Sequence, residues 1–188
     1  MILPIYLYGS PVLRRKAEDV DLAVEDKSAL SELISNMIET MKTADGCGLA
    51  APQVGISKRI LVVDGNELRD NYPELAGFHR EMINPEFISK SEECDSHEEG
   101  CLSIPGVDAS VSRPVSIRMR YTDASFAPVE EEFKGFAARM VQHEMDHLEG
   151  VVFTDHASPI RKKMIAAKLV NISKGRTRAS YKTRIEKA

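Results

Sequence analysis

Gly135-Phe-Ala-Ala-Arg-Met-Val-Gln-His-Glu-Met-Asp-His-Leu-Glu149 contains no proline and no internal glycine, and Gly150 follows it. That composition predicts a helix over residues 135–149, ended by Gly150. Within it, His143 and His147 stand four residues apart, a spacing that puts both imidazoles on one helix face within reach of a single ion. Glu144 lies one step round the helix, placed to handle protons on a water without ligating the ion. This His-Glu-x-x-His arrangement is that of hydrolytic metal sites.

Working outward, residues 26–44 carry Leu30, Leu33, Ile34, Met37, Ile38 and Met41 as one apolar stripe, which predicts a first amphipathic helix. Asp26 is its expected N-cap and Gly46 its expected stop. Ile60-Leu-Val-Val63 has the form of a short buried strand, and residues 64–80 that of a polar loop or insertion. Met82-Ile83 and Phe87-Ile88 suggest a second strand, broken at Asn84-Pro85. Val115, Ile117, Met119 and Tyr121 alternate with polar residues, and Val129 to Phe133 follows as a hairpin partner. Ser158-Pro159 is an N-cap with proline at the first helical position, opening a helix to about Asn171. Strands grouped between helices imply an α+β single domain. Antiparallel strands are expected to pack around the central motif-bearing helix, with flanking N- and C-terminal helices.

The 188 residues suffice for one domain. The net charge of −4 hides an asymmetry: from Arg161 onward there are ten Lys or Arg against Glu186 alone, a net +9. Residues 1–171 are therefore expected to form the catalytic domain and residues 172–188 a basic C-terminal tail. Such a tail is either solvated or docked on a polyanion. No apolar run approaches a membrane span, and the N-terminus lacks a basic segment with a cleavage site, so a cytoplasmic protein is expected. Cys47, Cys94 and Cys101 are too few for a disulfide framework and are expected to be thiols.

A catalytic ion needs a third protein ligand and an open position. One family of such sites adds a histidine at a place held here by Phe153; another adds a glutamate about twenty residues on, and no Glu occurs between Glu149 and Glu186. A thiolate is the natural replacement. Spacing alone does not choose among the three cysteines. It also leaves open a peptidase cutting internal bonds and a module with a structural metal.

Gly46-Cys-Gly-Leu-Ala-Ala-Pro-Gln53, Glu99-Gly-Cys-Leu-Ser103 and Gln142-His-Glu-Met-Asp-His-Leu148 resemble, in order, the three motifs of the peptide deformylases. Pro11-Val-Leu-Arg14 extends the likeness over about residues 3–155. The resemblance implies one Fe²⁺ held by Cys101, His143 and His147, with Zn²⁺, Ni²⁺ or Co²⁺ able to substitute. It assigns Glu144 as general base and then acid, and Gln53 (side chain) and Leu102 (backbone N–H) as oxyanion donors. N-formyl-methionyl peptides of nascent chains are the implied substrates. Their side-chain pocket would involve Cys47, Phe136 and Met140, with the peptide backbone held at Gly48 and Gly100. Cys47 and Arg139 depart from the aliphatic residues usual at their positions. The family pattern also pairs Asp45 with Arg113, and the basic tail is a candidate for ribosome contact; neither DNA nor a membrane is an expected partner. Asp146 is expected on a solvated helix face, and His79, His97 and His156 at the surface without ligand partners.

Overall fold

The computed structural model describes residues 1–186. Its first helix, α1 (Lys27–Thr43), is capped as the sequence implies, the Asp26 carboxylate accepting from the Ser28 N–H. The helix end differs from expectation. Asp45, not Gly46, takes the left-handed conformation at φ 59°. Gly46 N–H reaches back to the Met41 carbonyl at 3.0 Å and Asp45 N–H to that of Lys42, the paired bonds of a Schellman ending. Gly46 serves instead to let the next strand pass close to Leu102, whose side chain stands 2.6 Å from where a Cβ on Gly46 would be.

A five-stranded antiparallel sheet follows, in the spatial order β2 (Gly48–Ala50), β3 (Ile60–Asp64), β4 (His79–Lys90), β7 (Ser116–Thr122), β8 (Pro128–Lys134). The continuous apolar run in β3 has a direct cause. Ile60 and Val62 pack with Leu30, Ile34 and Met37 of α1, while Leu61 and Val63 pack with Ala138, Val141 and Met145 of α2 (Gly135–Leu148). A strand covered on both faces needs no polar alternation. The sheet is thus the middle layer between α1 and α2.

β4 continues through Asn84-Pro85 where the sequence suggested a break. Asn84 adopts φ 50°, and its side-chain amide exchanges two 2.8 Å hydrogen bonds with the Val20 backbone. The irregularity is a bulge that ties the N-terminal segment to the sheet. A second hairpin, β5 (Cys94–Cys101) with β6 (Ile104–Pro114), escaped the sequence reading. In β6, Val107, Ala109, Val111 and Arg113 are buried and Asp108, Ser110 and Ser112 exposed, a period-two signal that was available. In β5 the polar run Asp95 to Glu99 conceals it.

The polar connection 64–80 packs Leu75 fully into the core and stacks Tyr72 on Phe136, ring centroids 4.1 Å apart. It buttresses α2 at the start of the motif helix. The last helix, α3 (Pro159–Ser173), opens with the Ser158 hydroxyl accepting from Arg161 N–H and packs Ile165 and Ile172 on β6 and Phe153. Beyond it the chain returns to the body: β9 (Thr183–Arg184) pairs in parallel with β1 (Ile5–Tyr6). The backbone of this basic segment is therefore docked on the body, while Lys174, Arg176, Arg178, Lys182 and Arg184 keep their side chains exposed; Lys187 and Ala188 lie outside the described residues.

Gly150 ends α2 as expected, at φ 72°, with a Cβ position only 2.6 Å from the Arg14 carbonyl oxygen. Gly150→Ala should lower unfolding free energy by more than about 1 kcal/mol, read from the urea midpoint. An unchanged midpoint would show that the backbone there relaxes freely.

Candidate metal centre

α2 carries His143 and Glu144 to the floor of a cleft of about 500 Å³, with His147 buried just behind them. The β5–β6 hairpin brings in Cys101 at the end of β5, where the register shifts after Gly100. The donor atoms of Cys101, His143 and His147 all lie within 4.8 Å of one another. This is the one such group among the described residues. Cys101 Sγ stands 3.3 Å from His147 Nε2. Cys47 also lines the cleft but stays outside this cluster, and Cys94 is exposed. Phe153, in place of a third histidine, is fully buried and stacks on the His143 ring.

The electrostatics fit a cation. Burial pushes the Cys101 thiol up, but the His147 charge and hydrogen bonds from both histidines outweigh it and bring the pKa to about 5. Cys47 goes the other way, to about 11, because burial and the nearby Glu144 charge outweigh the pull of His143. Burial lifts Glu144 to about 7 against the pull of both histidines. Its Oε2, like His147 Nδ1, is buried with no hydrogen-bond partner. Orphaned buried polar atoms are costly unless something else satisfies them. A thiolate, two imidazoles and an unpaired carboxylate around one point suit a divalent ion and a water.

Glu99, which the sequence reading did not single out, orients the centre. Its carboxylate meets His143 Nδ1 at 2.9 Å, Arg113 through Nε and Nη2 at 2.7 and 2.9 Å, and Arg139 Nη1 at 2.7 Å. Burial opposes its ionisation, yet the hydrogen bonds from Arg113 and His143 hold it well below the usual carboxylate range. A carboxylate on Nδ1 leaves Nε2 of His143 as the ligand nitrogen, the usual support of a metal-binding histidine.

Two sequence expectations are corrected here, on Arg113 and on Asp146. Arg113 pairs with Glu99 and Asp146, not with Asp45, which is exposed at the cleft rim. Asp146 is not on a solvated face but bridges Arg113 and His156, at 2.9 and 2.8 Å. Arg139 is buried against Asp95, Glu99 and the Val111 carbonyl, so its charge is neutralised while its stem lines the cleft.

Around these groups, Gln53 turns its amide toward the cleft. Its Oε1 accepts from Ala50 N–H at 2.8 Å, and its Nε2 donates to Ser103 Oγ at 3.2 Å and Cys101 Sγ at 3.4 Å. Gly48 belongs to the sheet's edge strand, and a Cβ there would lie 2.8 Å from Glu144 Cδ, so only glycine leaves that carboxylate its place. Cys47, Gly48, Gly100, Leu102, Phe136 and Met140 all line the cleft.

A buried carboxylate with no structural partner, set beside three convergent donors on an α+β frame, places the chain in the class of metal-dependent hydrolases. Comparison with known proteins narrows the class. The polypeptide deformylase family model matches residues 2–163. The peptide deformylase of Salinibacter ruber is 47% identical over 185 residues, covering 96% of this chain and 93% of that one. That of Christiangramia forsetii is 43% identical, covering 100% and 98%. The crystal structure of the Thermus thermophilus enzyme superposes with a TM-score of 0.81 at 39% identity, over 93% of this chain and 99% of the other. The chain belongs to the peptide deformylase family. Its reaction is metal-dependent removal of the N-formyl group from nascent peptides.

Glu99→Gln tests the orienting carboxylate. It should weaken metal affinity about 10–100-fold and cost up to roughly 3–5 kcal/mol of stability, because two buried guanidiniums each lose one of their two carboxylate partners. Chelator competition and denaturant unfolding read the two effects. Wild-type affinity would remove Glu99 from the centre.

Proposed function

We propose that Cys101, His143 and His147 hold one Fe²⁺, replaceable by Zn²⁺, Ni²⁺ or Co²⁺, in a deformylase acting on formyl-methionyl peptides in the cytoplasm. The observation that carries the proposal is the meeting of these donor atoms within 4.8 Å beside the unpaired Glu144 carboxylate. Thiolate and imidazole together suit Fe²⁺ and Zn²⁺. When bound, the ion would lower the pKa of a water and polarise the formyl oxygen.

The chain's own residues do the rest. Glu144, at about 7, takes a proton and returns it to the leaving amine near neutral pH. Gln53 Nε2 and the Leu102 backbone N–H donate to the charge developing on the formyl oxygen, an interaction worth most where water is excluded. Phe136 and Met140 offer an apolar wall to the methionine side chain. Cys47 and the stem of Arg139 reshape that wall relative to the family pattern. Gly48 on the outer edge of β2 and Gly100 near the end of β5 both face the cleft, which supports capture of the substrate backbone as an added strand.

Residues 1–171 make up the body of the catalytic domain, and the segment after them adds residues 178–181 to its cleft. The net +9 of the segment from Arg161, with Lys162, Lys163 and Lys168 exposed on α3, supports ribosome contact through phosphate neutralisation. Because residues 178–181 line the cleft, charge reversal on α3 tests this better than deleting residues 172–188. Lys162→Glu with Lys163→Glu should weaken co-sedimentation with ribosomes at low salt and leave peptide hydrolysis intact. Unaltered co-sedimentation would end this role.

Assay of formyl-Met-Ala-Ser on protein purified without oxygen tests the chemistry. Cys101→Ala should lose metal while Cys47→Ala and Cys94→Ala keep it. Glu144→Ala should keep metal and lose at least about 100-fold in turnover; Gln53→Ala should lose about 10²–10³. Loss of metal with normal turnover per ion in Glu144→Ala would make Glu144 a ligand and overturn the mechanism.

A further inference from the structure

The segment after α3 does more than return to the body. Residues 178–181 line the same cleft as the metal donors, although the family match ends at residue 163. The strap is pinned beyond this stretch. Ile5 N–H and Leu7 N–H donate to the Lys182 and Arg184 carbonyls, both at 2.9 Å. Val12 N–H donates to Glu186 Oε2 at 2.8 Å, and Glu186 N–H to Ser10 Oγ at 3.1 Å. Between these anchors and α3, the Tyr181 hydroxyl donates to the Leu102 carbonyl at 2.7 Å. The Tyr181 ring and the Leu102 side chain both pack against the α1 core cluster.

The Leu102–Ser103 turn joins the two strands of the hairpin, flanked by the Cys101–Ile104 pair. It lies between β5 and β6, its neighbour Cys101 is a metal donor, and the turn follows a register shift. Three bonds hold it. Tyr181 ties the Leu102 carbonyl, Tyr8 N–H ties the Ser103 carbonyl at 2.8 Å, and Gln53 Nε2 ties Ser103 Oγ at 3.2 Å. The Leu102 carbonyl belongs to the peptide plane after Leu102 and its N–H to the plane before it, so the Tyr181 bond fixes Leu102 from one side while the Cys101–Ile104 pairing fixes it from the other, and together they hold the N–H in place. Of the three, only the Tyr181 bond comes from the C-terminal strap.

We propose that the C-terminal strap, residues 176–186, is a wall of the active cleft and that Tyr181 is a positioning residue, holding the 102–103 turn so that the Leu102 N–H is aimed at the formyl oxygen. This rests on the proposed role of Leu102 as an oxyanion donor. A donor aimed where charge develops acts on the transition state more than on the bound substrate. The strap therefore acts on kcat through Tyr181.

Tyr181→Phe removes the hydroxyl and keeps the ring in its packing. With formyl-Met-Ala-Ser, it should lower kcat about three- to tenfold, the worth of one hydrogen bond, and leave KM within about twofold. Metal content and thermal midpoint should stay at wild-type values. Deleting residues 176–188 should lower kcat at least as much as Tyr181→Phe. Amide hydrogen exchange across residues 101–103 gives a reading that needs no turnover, and it should quicken in Tyr181→Phe. Wild-type kcat in Tyr181→Phe overturns the proposal, as does unchanged exchange at 101–103. A fall in kcat that merely follows lost metal or a lowered thermal midpoint also overturns it, because the hydroxyl would then be structural. Should the wild-type enzyme fail to deformylate the peptide while exchange still quickens in Tyr181→Phe, the activity reading falls and the anchoring of the turn stands.

Discussion

Glu99 carries a negative charge that is almost entirely removed from water, and the arrangement of the centre follows from how that charge is compensated. Desolvating a carboxylate costs several kcal/mol, recovered only if its oxygens are well paired. Here each oxygen has partners: Arg113 and Arg139 on one, Arg113 and His143 on the other. Arg113 comes from β6, Glu99 from β5, and Arg139 and His143 from α2. The pairing thus clamps the hairpin that brings Cys101 to the helix that brings both histidines. Donors from separate segments can converge only if those segments are locked together, and the clamp does this within hydrogen-bonding distance of His143, one of the candidate donors.

The wider frame serves the same end. The middle sheet, covered by α1 and α2, gives the motif helix a rigid seat, which makes a better base for a metal site than a loop. Tyr72, from the polar connection, backs Phe136, so a segment that looked like an insertion stiffens a wall of the cleft. Gly48 admits the Glu144 carboxylate, and burial then raises its pKa toward neutrality. That value suits the proton-transfer role proposed for Glu144.

Where the sequence expectations went astray, the cause was a choice among equivalent partners. Arg113 could have met Asp45, Glu99 or Asp146 on charge grounds; the hairpin register, with Asp95 opposite Arg113 and Glu99 opposite Ala109, sets which carboxylates are near. Gly46 looked like a helix stop because glycine usually takes the left-handed position. Asp45 took it, since Gly46 was needed for close approach to Leu102. The charge of the basic segment gave no hint of its backbone pairing with β1, which depends on where the N-terminus runs.

Local rules were enough for the α+β class, the limits of α1 and α2, the β7–β8 hairpin and the two candidate histidines, while Cys101 was singled out only by the family resemblance. Helical and strand periods, caps and the four-residue histidine spacing are properties of neighbouring residues and can be read from the chain directly. Tertiary structure alone decided the β5–β6 hairpin's placement, the Glu99 clamp, the burial that shifts Glu144, and the strap that brings Tyr181 to Leu102. Each of these is a contact between residues far apart in sequence, and its geometry depends on how every intervening element packs.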